Sequence, residues 1–324
     1  MRILVLGAGA LGGYFGARLT QAGGDVTFLL RPARAAQVAR DGLAVESPLG
    51  DARLTVPVVT EAGPGFDLVL LTCKAYDLDA AIEAIRPAVA AGAAVLPVLN
   101  GLSHLDRLRG AFGAEAVLGG LAKIQAVLAP DGTIRHLAPW SSLTYGEPDG
   151  RPSARTEALH ALATRAPGLT AELAPDILAR MWEKLVHLGT VAAGTVLFRA
   201  SIGEIARAPG GTALMQRLLR RNIAIAAAEG FPVREGFLAE YDALMADTTS
   251  AYTASMLRDL EAGGRTEAEH VLGFLLDAAR RAGIADELHE AALVHARAYE
   301  QRREVGRLPQ GSQSGGSQAG GRQA

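Results

Sequence analysis

The feature that most constrains this chain is at its start: a short apolar run at residues 3–6 leads directly into Gly7-Ala8-Gly9-Ala10-Leu11-Gly12 and then into a stretch of helical period. Each glycine of such a GxGxxG run answers a steric demand. The first permits a tight turn after a strand, the second lets backbone approach a diphosphate, and the third lets the following helix pack closely on the strand with an anion at its N-terminus. The spacing alone is a weak signal, but between a strand and a helix it specifies a dinucleotide-binding βαβ unit. Gly7, Ala8, Gly9, Ala10, Leu11 and Gly12 are therefore the expected cofactor loop.

The residues that follow keep the alternation. Apolar runs at 25–30, 67–72 and 93–99 alternate with helical stretches near 34–40, 78–90 and 103–112, the pattern of a parallel sheet with crossover helices. Between 117 and 145 the character changes to hairpin-like strands around Pro130-Asp131-Gly132, expected to extend the sheet at its far edge. Beyond 173 strand signals vanish, and 176–205, 212–229 and 265–303 read as long helices. The predicted fold class is α/β: a Rossmann-type parallel-sheet domain over 1–173, then an all-helical substrate and dimerisation domain over 174–305. Residues 306–324 are expected to be a disordered tail, since Gly, Ser and Gln dominate from 311.

Composition narrows the function classes. With 49% hydrophobic and 20% charged residues and a net charge of -2, the chain offers no basic surface for nucleic acid. Its apolar runs are too short to span a bilayer, and its first residues enter a glycine motif rather than a cleavable signal, so a cytoplasmic protein without a membrane partner is expected. The single cysteine, Cys73, excludes an intrachain disulfide and reads as a packing thiol at the end of a buried strand. The seven histidines form no HExxH or comparable ligand spacing, so no metal is expected.

Where NAD-binding sites place an acidic residue, at the end of the second strand, this chain has Arg31, with Arg34 one helical turn further. A guanidinium there suits a 2′-phosphate, and no carboxylate stands at that point to hold a free ribose, so NADP(H) is the expected cofactor.

From Met1 to about Tyr299 the sequence resembles the ketopantoate reductase (2-dehydropantoate 2-reductase) family. The resemblance rests on the glycine loop, Arg31, Thr72-Cys73-Lys74, Asn100-Gly101, Trp182-Glu183-Lys184-Leu185, and Ser255-Met256-Leu257 with Glu267. It implies hydride transfer from NADPH to the 2-oxo group of a small acid held between two domains, most directly 2-dehydropantoate to pantoate in pantothenate biosynthesis. It further implies Lys184 as general acid, Glu267 in substrate binding and catalysis, and Ser255 on the substrate carboxylate. The expected partners are that 2-oxo acid and, through the helical domain, a second copy in a homodimer.

The same residues make chemical sense without the family. Lys74 and Asn100 fall at C-terminal ends of predicted parallel strands, where ligands bind, and either can serve cofactor or substrate. Reducing a ketone leaves an alkoxide, which needs a cationic donor able to give up a proton, and Lys184 in an apolar helix is the best candidate. Read alone, Glu267 is also a carboxylate favoured by a helix N-terminus. Where the family has asparagines four and eight residues past the lysine, this chain has Leu188 and Ala192, and Ile284-Ala285-Asp286-Glu287 lacks the family's Pro-containing turn. Leu188 and Ala192 are expected to line the substrate pocket, which makes a same-fold NADP-dependent reductase of a more apolar 2-oxo acid one alternative. A non-catalytic NADP-binding redox sensor is another, against which the presence of Lys74, Asn100 and Lys184 argues.

Overall fold

The computed structural model describes residues 1–308, so all but the first three residues of the expected tail lie outside the described residues. Five parallel strands lie in the order Val58–Val59, Asp25–Leu29, Arg2–Leu6, Leu68–Leu71, Ala94–Pro97. In register, Leu4 stands between Thr27 on one neighbour and Val69 on the other. The three strands Arg2–Leu6, Leu68–Leu71 and Ala94–Pro97 are almost continuously apolar and buried because helices cover both faces of a parallel sheet. The chain leaves Arg2–Leu6 to one side first and returns to its other side later, so the order reverses there and opens a crevice at the strands' C-terminal ends.

The hairpin strands do not extend this sheet. Ala126–Leu128 pairs with Ile134–His136, which runs beside Leu43–Glu46, itself paired with Ala52–Leu54, in a separate four-stranded sheet. The cause is close packing at Gly13: a Cβ there would sit 2.3 Å from Ile134 Cδ1, so the missing side chain lets the hairpin settle on the helix Ala10–Gln21. Gly119–Lys123, Ser142–Gly146 and Thr170–Leu173 make a third sheet, touching the parallel one through the bridge between Val95 and Val117.

Beyond residue 173 the described chain is helical, but the expected long helices are interrupted. The stretch 265–303 is a π-helical turn Glu269–Gly273, the helix Phe274–Ala282 and the helix Glu287–Glu304, with Gly283 at φ 65° making the break between the two helices. Likewise Ile177–Phe198 ends at Arg199 in left-handed conformation, φ 53°, before Ser201 caps the short helix Ile202–Arg207. Ile177–Phe198 is the hub of this half. Gly189 and Gly194 admit Leu275 and Met215 where a Cβ would stand 2.2 and 2.3 Å from them. Its Thr190 accepts from Asn222 Nδ2 at 2.8 Å, and Asn222 Oδ1 accepts from His289 Nε2 at 2.7 Å, a buried chain that fixes three helices to each other. No helix among the described residues is long and apolar enough to cross a membrane.

Candidate active site

At the crevice, Gly7 turns with φ 91° and its N–H donates to Leu29 O at 3.0 Å. Gly12 has no room for a side chain: a Cβ would lie 2.2 Å from Gly7 O and 2.4 Å from Thr72 Oγ1. Over Gly9 the space is open, with nothing within 4 Å of a would-be Cβ, and Gly9 caps the helix Ala10–Gln21 without any side-chain acceptor. A closely packed third glycine, an open second one and uncapped first-turn N–H groups together fit a diphosphate.

Arg34 proves to be a strut. Its Nη2 donates to Ala8 O at 3.0 Å and Gly132 O at 2.9 Å, tying the glycine loop to the hairpin turn, while burial lowers its pKa. Arg31 stays exposed, its Nη2 3.6 Å from Asp77 Oδ2. The carboxylate absent from the end of the second strand is thus supplied from the segment after Leu68–Leu71, an adjacency that only the tertiary fold creates.

The two halves of the chain meet around Lys74, Asn100, Lys184 and Glu267. Lys74 follows Leu68–Leu71, and Asn100 follows Ala94–Pro97. Lys184, in the second turn of Ile177–Phe198, donates to Ala122 O at 2.9 Å and to Asn100 Oδ1 at 3.3 Å. Two of its three protons are so placed, leaving the third for a ligand. Burial pushes the Lys184 pKa down to about 8, with Glu267 pulling against that shift and Lys123 reinforcing it. Glu267, 6% exposed, turns to the first domain rather than capping its own helix: Oε1 accepts from Ala75 N at 2.9 Å and Oε2 lies 3.5 Å from Lys74 Nζ. Lys74 also donates to Asp259 Oδ2 at 3.0 Å. Burial disfavours its ammonium, but Glu267 and Asp259 together more than offset that and hold its pKa above the usual value.

Ser255 is half-buried at the start of the helix Ser255–Glu261, one turn before Asp259, and makes none of these contacts among the described residues. Asp259 itself escapes sequence reasoning, although its position four residues past Ser255 on one helix is the signal that could have found it. Beside Lys184 lies a small cleft lined by Gly101, Leu121, Met181, Leu185 and Leu188. Ala192, expected next to Leu188, is instead fully buried in the core. Cys73 is half-buried and its thiol is pushed up to about 12, chiefly by burial and then by Asp77, which leaves it unreactive.

A Rossmann sheet with an open glycine loop, joined to a helical half that lends a partly desolvated lysine and a buried carboxylate to the same crevice, defines a two-domain oxidoreductase. The chain belongs to the ketopantoate reductase family: residues 3–150 match ketopantoate reductase PanE/ApbA, and residues 176–300 match the C-terminal part of the same family. It is 34% identical over 303 residues to an uncharacterized oxidoreductase of Bacillus subtilis, YkpB, covering 93% of this chain and 99% of that one. It is 32% identical to the 2-dehydropantoate 2-reductase of Halobacterium salinarum, over 88% of this chain and 94% of the relative. Among solved structures, 2-dehydropantoate 2-reductase from Geobacter metallireducens superposes with a TM-score of 0.82 at 32% identity, covering 92% of this chain and 99% of that one. D-mandelate dehydrogenase in complex with NADH and anilino(oxo)acetate shares the fold, with a TM-score of 0.80 at 21% identity over 94% of this chain and 100% of that one.

Proposed function

We propose that this chain uses NADPH to reduce a 2-oxo acid to the 2-hydroxy acid, in the first instance 2-dehydropantoate to pantoate. The observation that carries the reading is Lys184: a lysine whose pKa lies near 8, steered by Asn100 and Ala122 O, beside a small cleft past the C-terminal end of the strand Ala94–Pro97. NADPH, when bound, supplies the hydride. The protein's part is to hold and protonate. The backbone from Gly7 to Gly12 takes the diphosphate and Arg31 the 2′-phosphate, while Lys74, exchanging Asp259 for the ligand, and Ser255 take the substrate carboxylate. Lys184 hydrogen-bonds the ketone oxygen and delivers a proton as negative charge develops there, a transfer favoured by a pKa close to neutrality. Glu267 keeps Lys74 and the Ala75 N–H in register with it. NADPH oxidation measured against a panel of 2-oxo acids tests the reading, and an absence of turnover with every member overturns it.

The cofactor assignment rests on Arg31. Arg31→Ala is expected to weaken NADPH binding by about ten- to a hundredfold, the scale of a lost charge-assisted contact of about 1.5 to 3 kcal/mol, and to leave NADH nearly unchanged. Wild-type protein that binds both cofactors equally and a variant that binds them no differently would remove the arginine from the argument.

A second reading of the substrate is favoured by the cleft. Leu188 and its neighbours Met181, Leu185 and Leu121 offer a substrate tail no hydrogen-bonding side chain. An apolar wall cannot reward a hydroxyl, so 2-oxo acids with plain branched tails are expected to compete well with 2-dehydropantoate. Leu188→Asn should move relative kcat/KM toward the hydroxylated substrate by about two- to tenfold, the worth of one hydrogen bond. A wild-type preference for 2-dehydropantoate of several orders of magnitude would eliminate this second reading.

A further inference from the structure

The ion pair of Arg31 and Asp77 has no evident part in building the fold. Asp77 immediately precedes the helix Leu78–Ala90, where an aspartate commonly accepts from the helix's own N–H groups, yet its side chain makes no such bond. It reaches Arg31 instead, Oδ2 to Nη2 3.6 Å. Arg31 follows Asp25–Leu29 and Asp77 follows Leu68–Leu71, the two strands that flank Arg2–Leu6. The pair therefore spans the end of the strand that carries the glycine loop, across the corner where the adenosine half of a dinucleotide lies in this type of crevice.

Resting on the dinucleotide reading above, we propose that Asp77 is a second determinant of cofactor choice: it opposes the 2′-phosphate that Arg31 attracts and accepts a hydrogen bond from a ribose hydroxyl when that phosphate is absent. The side chains are 82% and 40% exposed, so their pairing adds little to stability and yields readily to a ligand. The carboxylate's charge does not yield. A phosphate drawn to Arg31 comes to rest beside Asp77 and is repelled by it, whereas a free ribose offers hydroxyl donors that a carboxylate accepts. The site then discriminates less sharply between the two cofactors than an unopposed arginine does, and NADH becomes a usable alternative.

The test is binding to the full chain without substrate, by calorimetry with NADPH and NADH in turn, on wild type and Asp77→Asn. The variant is expected to bind NADPH about three- to tenfold more tightly and NADH more weakly, with the gain for NADPH shrinking as salt is raised. If both cofactors bind wild type and the substitution leaves the ratio of their Kd values unchanged, the assignment of Asp77 is wrong while the dinucleotide reading stands. If wild type binds neither, the dinucleotide reading fails first and takes this assignment with it.

Discussion

Lys184→Ala is expected to retain cofactor binding and lose about 10² to 10⁴-fold in turnover, the range that general acid catalysis supplies. The loss falls on kcat because the ammonium interacts most strongly when charge develops on the ketone oxygen, and less with the neutral ground state. Lys184 is also a spacer between Asn100 and Ala122 O, so a drop in activity alone does not separate chemistry from positioning. Lys184→Arg does. Arginine keeps a positive donor near both acceptors but does not release its proton, so it should recover part of the substrate affinity without recovering turnover. Wild-type kcat/KM should fall as pH rises through about 8, where Lys184 loses its proton, and that limb should vanish from the residual activity of both variants. Turnover within a few-fold of wild type in Lys184→Ala would assign proton delivery to another group.

Much of the fold was legible because its causes are local. The glycine loop announces itself through steric needs met within six residues, and the buried parallel strands through short apolar runs. The helical second half followed from period alone, but its interruptions did not. Gly283 ends a helix in a stretch whose apolar spacing continues on both sides, and periodicity is blind to a single left-handed residue. The hairpin strands were recognisable as strands, while their partner sheet depended on Gly13 admitting Ile134, a contact between distant segments. Within the site, the anchors at strand ends were readable because topology places ligands there, but the pairing of Arg31 with Asp77 and of Lys74 with Asp259 became visible only once separate elements were brought together. The split between Leu188 and Ala192 has a geometric cause. Each four-residue step overshoots a full helical turn by about 40°, so two steps from Lys184 carry a side chain about 80° around the helix. Leu188 stays at the cleft, and Ala192 has turned into the core.

Glu267 is one of the residues that join the two halves of the site, and its replacement should show this in two separable ways. Glu267→Ala removes the acceptor of the Ala75 N–H and one of the two carboxylates around Lys74, so kcat/KM should fall by about ten- to a hundredfold, mainly through KM. Glu267→Gln keeps the size and an oxygen for Ala75 N but deletes the charge, so it should recover much of that loss. Its pH profile should nevertheless change. The carboxylate raises the Lys184 pKa against the effect of burial, and without it the ammonium is less stable and deprotonates at lower pH. Because the acid must be protonated to act, the alkaline limb of kcat/KM should move below the wild-type position near 8, and activity at neutral pH should decline in step. A merely structural Glu267 would lower activity in both variants without moving that limb. A limb that stays in place in Glu267→Gln, or moves to higher pH, would show that the charge does not reach Lys184 and that Glu267 acts only by holding Lys74 and the Ala75 backbone.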